Sequence, residues 1–186
     1  MASIANRFCL AVALITAGTA SALAQAIPPQ CGYERWPVKI LSDKDRERVQ
    51  FAPVEITIAK LVSIPIHEMP YPRDKRIAPE ELTVYKIRGT LIEVRPEQDS
   101  DLHIIVADLD RPDLRMIVEI PAAGCAESTG REGDYSKARE VLAGVPKHSV
   151  IEITGVGFFD FIHNAIGTAK NGIELHPVLK IAAVKP

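Results

Sequence analysis

Apolar residues recur along this chain mostly at every second position, in stretches of strand length. That alternation predicts five strands: Thr83–Arg95 (TVYKIRGTLIEVR), Asp101–Ala107 (DLHIIVA), Leu114–Ile120 (LRMIVEI), Val150–Phe159 and Ile173–Ile181. An earlier run, Ala52–Ile64 (APVEITIAKLVSI), places Val54, Ile56 and Ile58 on one side and predicts an extra strand before them. Gly89, in the middle of the first long strand, marks a bulge or sharp bend. The period changes once. Across Asp134–Ala143, Tyr135, Ala138 and Leu142 recur at helical spacing; Asp134 can cap the start, and Gly144 with Pro146 stops the helix. Pro65, Pro70, Pro72 and Pro79 break up the stretch before Glu80 into a surface loop, and Asn171-Gly172 is a turn signal.

Strand, strand, strand, short helix, strand, strand is the order of a five-stranded oligomer-binding barrel, the OB-fold, here with an extra N-terminal strand. The expected class is therefore all-β with one short helix. A β-sandwich is the alternative, but it wants about seven evenly spaced strands with no helix among them.

Composition adds a compartment. Residues 1–24 hold one positive charge, Arg7, then an apolar run ending in Ala22-Leu23-Ala24, the small-x-small pattern of a secretory cleavage site. The run is interrupted by Thr16, Gly18, Thr19 and Ser21, so a signal peptide is expected, with no membrane span left after cleavage. The protein is then periplasmic or secreted, with residues 25–50 an N-terminal arm and 51–186 a single barrel domain. In an oxidising compartment Cys31 and Cys125, the two cysteines beyond that segment, are expected to pair. A bridge closing so long a loop contributes roughly 4–5 kcal/mol on chain-entropy grounds. The formal net charge is −2, without a Lys/Arg block, which argues against nucleic acid as a partner. The charge run Asp43–Arg48 reads as a solvated surface.

The stretch ITGVGFFDFIHNAIGTAKNGIELHPVLKI, with DSDLHIIVADLD, MIVEIPAAGC and an early Cys31 followed by Trp36-Pro37-Val38-Lys39, resembles a widespread family of exported bacterial proteins. Its members share a Gly-Val-x-Phe-Phe-Asp … His … Asn-Gly-Ile-Glu-Leu-His-Pro-Val signature. The resemblance implies export and a shared fold, and assigns no activity.

Three constellations carry chemistry. In the first, Asp101 and His103 share one face of a strand, with Asp99 just before it; such a set can bind a divalent metal, zinc or manganese better than calcium. The second joins His163 with Asn171, Glu174 and His176, adding two imidazoles to the metal set Asp101, His103, His163 and His176. No HExxH pattern supports it, and Asp160, Asn171 and His176 can equally build the loop. In the third, Phe158, Phe159 and Phe161, with Tyr85, offer a stacking platform, suiting a glycan or another cell-envelope ligand held by Phe158, Phe159, Asp160, His163 and Asn171. Glu119, between Val118 and Ile120, is a carboxylate whose setting can raise its pKa, unless Arg88 or Arg95 pairs with it. With no GxSxG motif, the residues favour a non-catalytic binding module. A metal-dependent hydrolase of the phosphodiesterase or nuclease type is the alternative, and a structural envelope protein the third reading.

Overall fold

The computed structural model describes residues 30–32, 34–162 and 166–184. The expected signal peptide and His163 lie outside the described residues.

β2 (Thr83–Pro96) is the strand from which the barrel is built. Tyr85, Ile87 and Leu91 point into the core. Its first half pairs antiparallel with β5 (Val150–Phe159), from Val84↔Val156 to Thr90↔Val150. Its second half pairs antiparallel with β3 (Leu102–Ala107), from Thr90↔Ala107 to Pro96↔Leu102. Gly89 sits where one pairing hands over to the other. A Cβ there would lie 2.8 Å from Ile58 Cδ1 and 2.9 Å from the Ala107 carbonyl oxygen, so the bend needs glycine.

β4 (Arg115–Ile120) follows antiparallel to β3. β6 (Ile173–Ala183) then enters between β4, to which it is parallel, and β5, to which it is antiparallel. The ring β2-β3-β4-β6-β5 closes through the β2–β5 pairing, and β1 (Gln50–Glu55) adds a parallel strand to β2. This is an OB barrel with an extra N-terminal strand. Its closure overturns the sandwich alternative, which would leave two separate sheets.

α3 (Glu132–Ala143) lies between β4 and β5 and buries Tyr135, Ala138 and Leu142 against the barrel. It starts two residues before the expected Asp134; Asp134 instead pairs with Arg131 at 3.0 Å inside the first turn. The expected strand Ala52–Ile64 is also corrected. Strand ends at Glu55, because the Thr57 hydroxyl accepts the Lys60 amide and starts α2 (Ile58–Leu61), which buries Ile58 and Leu61.

The arm is held on three sides. Cys31 and Cys125 form a disulfide across 94 residues, with Cα atoms 5.5 Å apart. Arg35 ion-pairs with Glu81 and also donates to the carbonyls of Pro72, Lys75 and Phe159. Asp43, expected in a solvated run, is buried in a two-bond pair with Arg76 at 3.1 and 2.6 Å. Between these contacts runs α1 (Trp36–Lys39).

Candidate functional site

In β3 and β4 the residues Ile104, Val106, Met116, Val118 and Ile120 fill the barrel, so His103 and Glu119 face outward. They are direct partners in the β3–β4 register, and Arg95 is the β2 partner of His103. On β6, Leu175 points into the core and the flanking Glu174 and His176 point out. The β5–β6 register slips between Gly155↔Val178 and Gly157↔Leu175, a bulge next to His176. Gly155 permits this close approach: a Cβ there would meet Leu175 Cβ and the Pro177 carbonyl oxygen, both at 3.0 Å. The parallel β4–β6 pairing thus brings the two sequence constellations together on one outer face.

A chain of short contacts runs across that face. Arg95 Nη2 lies 3.2 Å from His103 Nε2, and His103 Nδ1 lies 2.8 Å from Glu119 Oε1. A guanidinium can only donate, so His103 Nε2 accepts and Nδ1 carries the proton given to Glu119. Beyond it, Glu119 Oε2 is 3.0 Å from His176 Nδ1, and His176 Nε2 is 3.2 Å from Asp101 Oδ2. His176 and Asp101 are fully buried, yet neither approach is aligned for a hydrogen bond, and among the described residues Asp101 Oδ2 has no other partner. Asp101 Oδ1 accepts the Ala122 amide at 3.3 Å.

The electrostatics follow from this packing. Burial pushes the His176 pKa down, but Asp101 and Glu119 beside it outweigh burial and hold it above its ordinary value. Burial pushes Glu119 up, and His103 and His176 more than reverse this, leaving it far below the carboxylate range. The expectation of a raised Glu119 is therefore corrected: its partners are histidines, while Arg88 pairs with Glu152 and Arg95 reaches His103 and Glu97. Glu174 behaves oppositely. Fully enclosed and next to Glu119 and Asp160, its carboxyl is pushed well up.

Over this face lies a cleft of about 490 Å³, between the β2–β3 turn, the arm and the start of the β5–β6 connection. Six carboxylates line it (Glu34, Glu97, Asp99, Glu119, Asp160 and Glu174) against two cations, Lys39 and Arg95. Lys39 Nζ, on the arm, is 3.8 Å from Asp160 and 5.5 Å above the Phe158 ring. Burial lowers the Lys39 pKa, and Asp160, Glu119, Glu174 and Asp99 together more than restore it.

Asp101, His103 and His176 of the expected metal set therefore converge; Glu119 joins them, while His163 lies outside the described residues. His103 turns its Nδ1 to Glu119 and its Nε2 to Arg95, so it orients a donor instead of being one. The aromatic platform is corrected. Phe158 and Phe159 are both fully buried: Phe158 packs under His176, Arg35 and Lys39, and Phe159 packs among His67 and Tyr71. Tyr85 is buried in the core. Asn171 is buried as well; its Nδ2 donates to the Leu61 and Ile64 carbonyls at 3.0 Å, which ties the loop to α2. Of the expected ligand-binding residues that are described, Asp160 alone lines the cleft. Sequence patterning gave no cue to Lys39, since nothing local says that the arm folds over this face.

No family model matches the chain, and no curated protein does. Among solved structures it is similar to the asparaginyl-tRNA synthetase of Entamoeba histolytica, at 13% identity and TM-score 0.42, over 73% of this chain and 24% of that one. A chain assigned as an aspartyl-tRNA synthetase from Leishmania major Friedlin is similar at 12% identity and TM-score 0.39, over 74% of this chain and 22% of that one. The chain thus spans about a quarter of the length of these structures or less.

Proposed function

We propose that this protein is an exported, non-catalytic binding module whose cleft takes a positively charged, amine-bearing ligand of the cell envelope. One observation carries the reading. Among the described residues, Glu34, Glu97, Asp99, Glu119 and Asp160 face two cations, Lys39 and Arg95, in a cleft whose wall also includes the buried carboxyl of Glu174, with its Oε2 lacking a hydrogen-bond partner among those residues. Such a surface repels phosphates and attracts ammonium groups. The location supports it too, because OB barrels bind ligands on the outer face of their second and third strands, beside the loops between strands one and two and strands four and five. Lys39 already places one ammonium there, over an aromatic face. A neutral glycan has less support, since it would need the stacking faces that Phe158 and Phe159 keep buried. Export is supported by the leader-like first 24 residues and by a disulfide that reducing cytosol would not sustain.

Hydrolysis is the weaker reading. Asp101 and His176 are sealed from solvent, which suits holding an ion better than presenting one to a substrate. Calorimetric titration with spermidine, set against a short oligonucleotide, tests the proposal. Spermidine is expected to bind and the oligonucleotide not to, with Asp160→Asn weakening spermidine about tenfold and leaving the melting temperature within a few degrees. No spermidine binding, or binding indifferent to Asp160→Asn, would leave these residues a structural role only.

A further inference from the structure

We propose that Asp101, Glu119 and His176 hold a divalent transition-metal ion of the zinc or manganese class in an inner site beneath the cleft. This goes beyond the amine reading: Glu119 is common to both, whereas Asp101 and His176 do not line the cleft. One donor atom from each of the three residues lies within 4.8 Å of the others, and all three residues are buried. A zinc ion bonded at about 2.1 Å in tetrahedral geometry keeps its donors about 3.4 Å apart, so the widest pair need close by no more than about 1.4 Å. Two carboxylate oxygens with one imidazole nitrogen suit zinc or manganese, while calcium prefers an all-oxygen shell.

Polar atoms of Asp101 and His176 are also left unsatisfied among the described residues. The His176 ring is fully buried, and both of its nitrogens approach carboxylates at 3.0 and 3.2 Å without hydrogen-bond alignment, while Asp101 Oδ2 likewise makes no hydrogen bond among the described residues. Buried polar atoms in folded proteins are nearly always satisfied. Here the unsatisfied atoms are neighbours: an ion taken by one His176 nitrogen, with Asp101 and Glu119 each giving one oxygen, would partner them, and the other ring nitrogen would keep its carboxylate contact. The donors also come from fixed places: Glu119 from β4, His176 from β6 beside its bulge, and Asp101 from the entrance to β3.

His103 is the positioning residue of this site. Its Nδ1–H holds Glu119 Oε1 at 2.8 Å and leaves Oε2 turned toward His176, while Arg95 on Nε2 fixes the tautomer. Histidine–carboxylate contacts of this kind orient metal ligands elsewhere, and removing one weakens metal affinity by about 10–100-fold.

The test uses the full, disulfide-bonded chain, stripped with EDTA and desalted. After addition of Zn²⁺ and a second desalting, elemental analysis is expected to find one zinc per chain, with a raised melting temperature, and Co²⁺ is expected to give a visible absorption band. His176→Gln is expected to lose the band. His103→Asn, whose amide can reproduce the Nδ1–H donor, is expected to keep Zn²⁺ affinity within a few-fold, whereas His103→Leu loses about 10–100-fold. If the wild-type chain retains no zinc, shows no Co²⁺ band and melts at an unchanged temperature, the site does not exist; this arm requires no variant to fold. Retention of the band by a folded His176→Gln overturns the ligand set, and equal affinity in the Asn and Leu variants overturns the role of His103. Spermidine titrations in EDTA report the cleft with no metal present, so failure of either reading shows separately.

Discussion

Arg35 and Glu81 meet in a fully buried ion pair with two parallel contacts of 2.6 and 2.7 Å, 46 residues apart in the chain. Glu81 also accepts the Phe159 and Ile77 amides at 2.8 and 2.6 Å, so one carboxylate joins the arm, the proline-rich loop and the end of β5. Removing one partner strands a buried charge. Glu81→Met is therefore expected to cost about 3–5 kcal/mol in urea denaturation, and the Arg35→Met/Glu81→Met double variant less than the sum of the singles. Additive losses would show that the two side chains do not act as a pair.

Glu119 and His176 set a stability window. The depressed Glu119 pKa contributes stability that is present above its unfolded value near 4.5 and lost as pH falls through the native value. The raised His176 pKa contributes stability that is present below 6.5 and lost as pH rises through its native value. In metal-free protein the stability difference between wild type and His176→Gln is expected to peak between about pH 4.5 and 6.5. A difference that is flat from pH 4 to 8 would contradict the coupling.

Glu174 works in the opposite sense. Burial and the neighbouring Glu119 and Asp160 raise its pKa in the folded chain, so as pH rises above 4.5 the unfolded chain gains by ionising before the folded one does. Glu174→Gln is expected to match wild type at pH 4 and to exceed it by a growing margin toward pH 7, read from thermal or urea melts. A variant less stable than wild type at pH 7 would refute this account.

Gly157 packs without room for a side chain, since a Cβ would collide with the Glu80 carbonyl oxygen and lie 2.9 Å from the Tyr85 ring. Gly157→Ala is expected to lose about 1–3 kcal/mol by overpacking. Gly133, near the start of α3, has nothing within 4 Å of that position. Gly133→Ala is expected to gain about 0.5–1 kcal/mol, and equal effects at the two sites would break the argument.

The barrel was legible because its signals are local. Alternation marks each strand, Gly89 marks the bend, and Tyr135, Ala138 and Leu142 mark the helix. The Thr57 cap is less visible, because alternation carries on through Ile58 and hides the turn into α2. Within the site, Asp101 with His103 and Glu174 with His176 are readable as same-face pairs. Their meeting is not, because it depends on β6 entering between β4 and β5, a register that no short window of sequence contains. Phe158 and Phe159 end a strand as a platform would, and alternation does show that one of them faces outward. It cannot show that Arg35 and Lys39 of the arm cover that outward ring. The burial of Asp43 is hidden for a similar reason: its partner Arg76 is 33 residues away.

The position of β6 also dictates an order of assembly. The ring can shut only after the final strand has slotted in beside two earlier ones, and contacts spanning such long stretches of chain form slowly. A chain cut short before β6 would leave β4 and β5 each with an unpaired edge, a template for pairing with another chain.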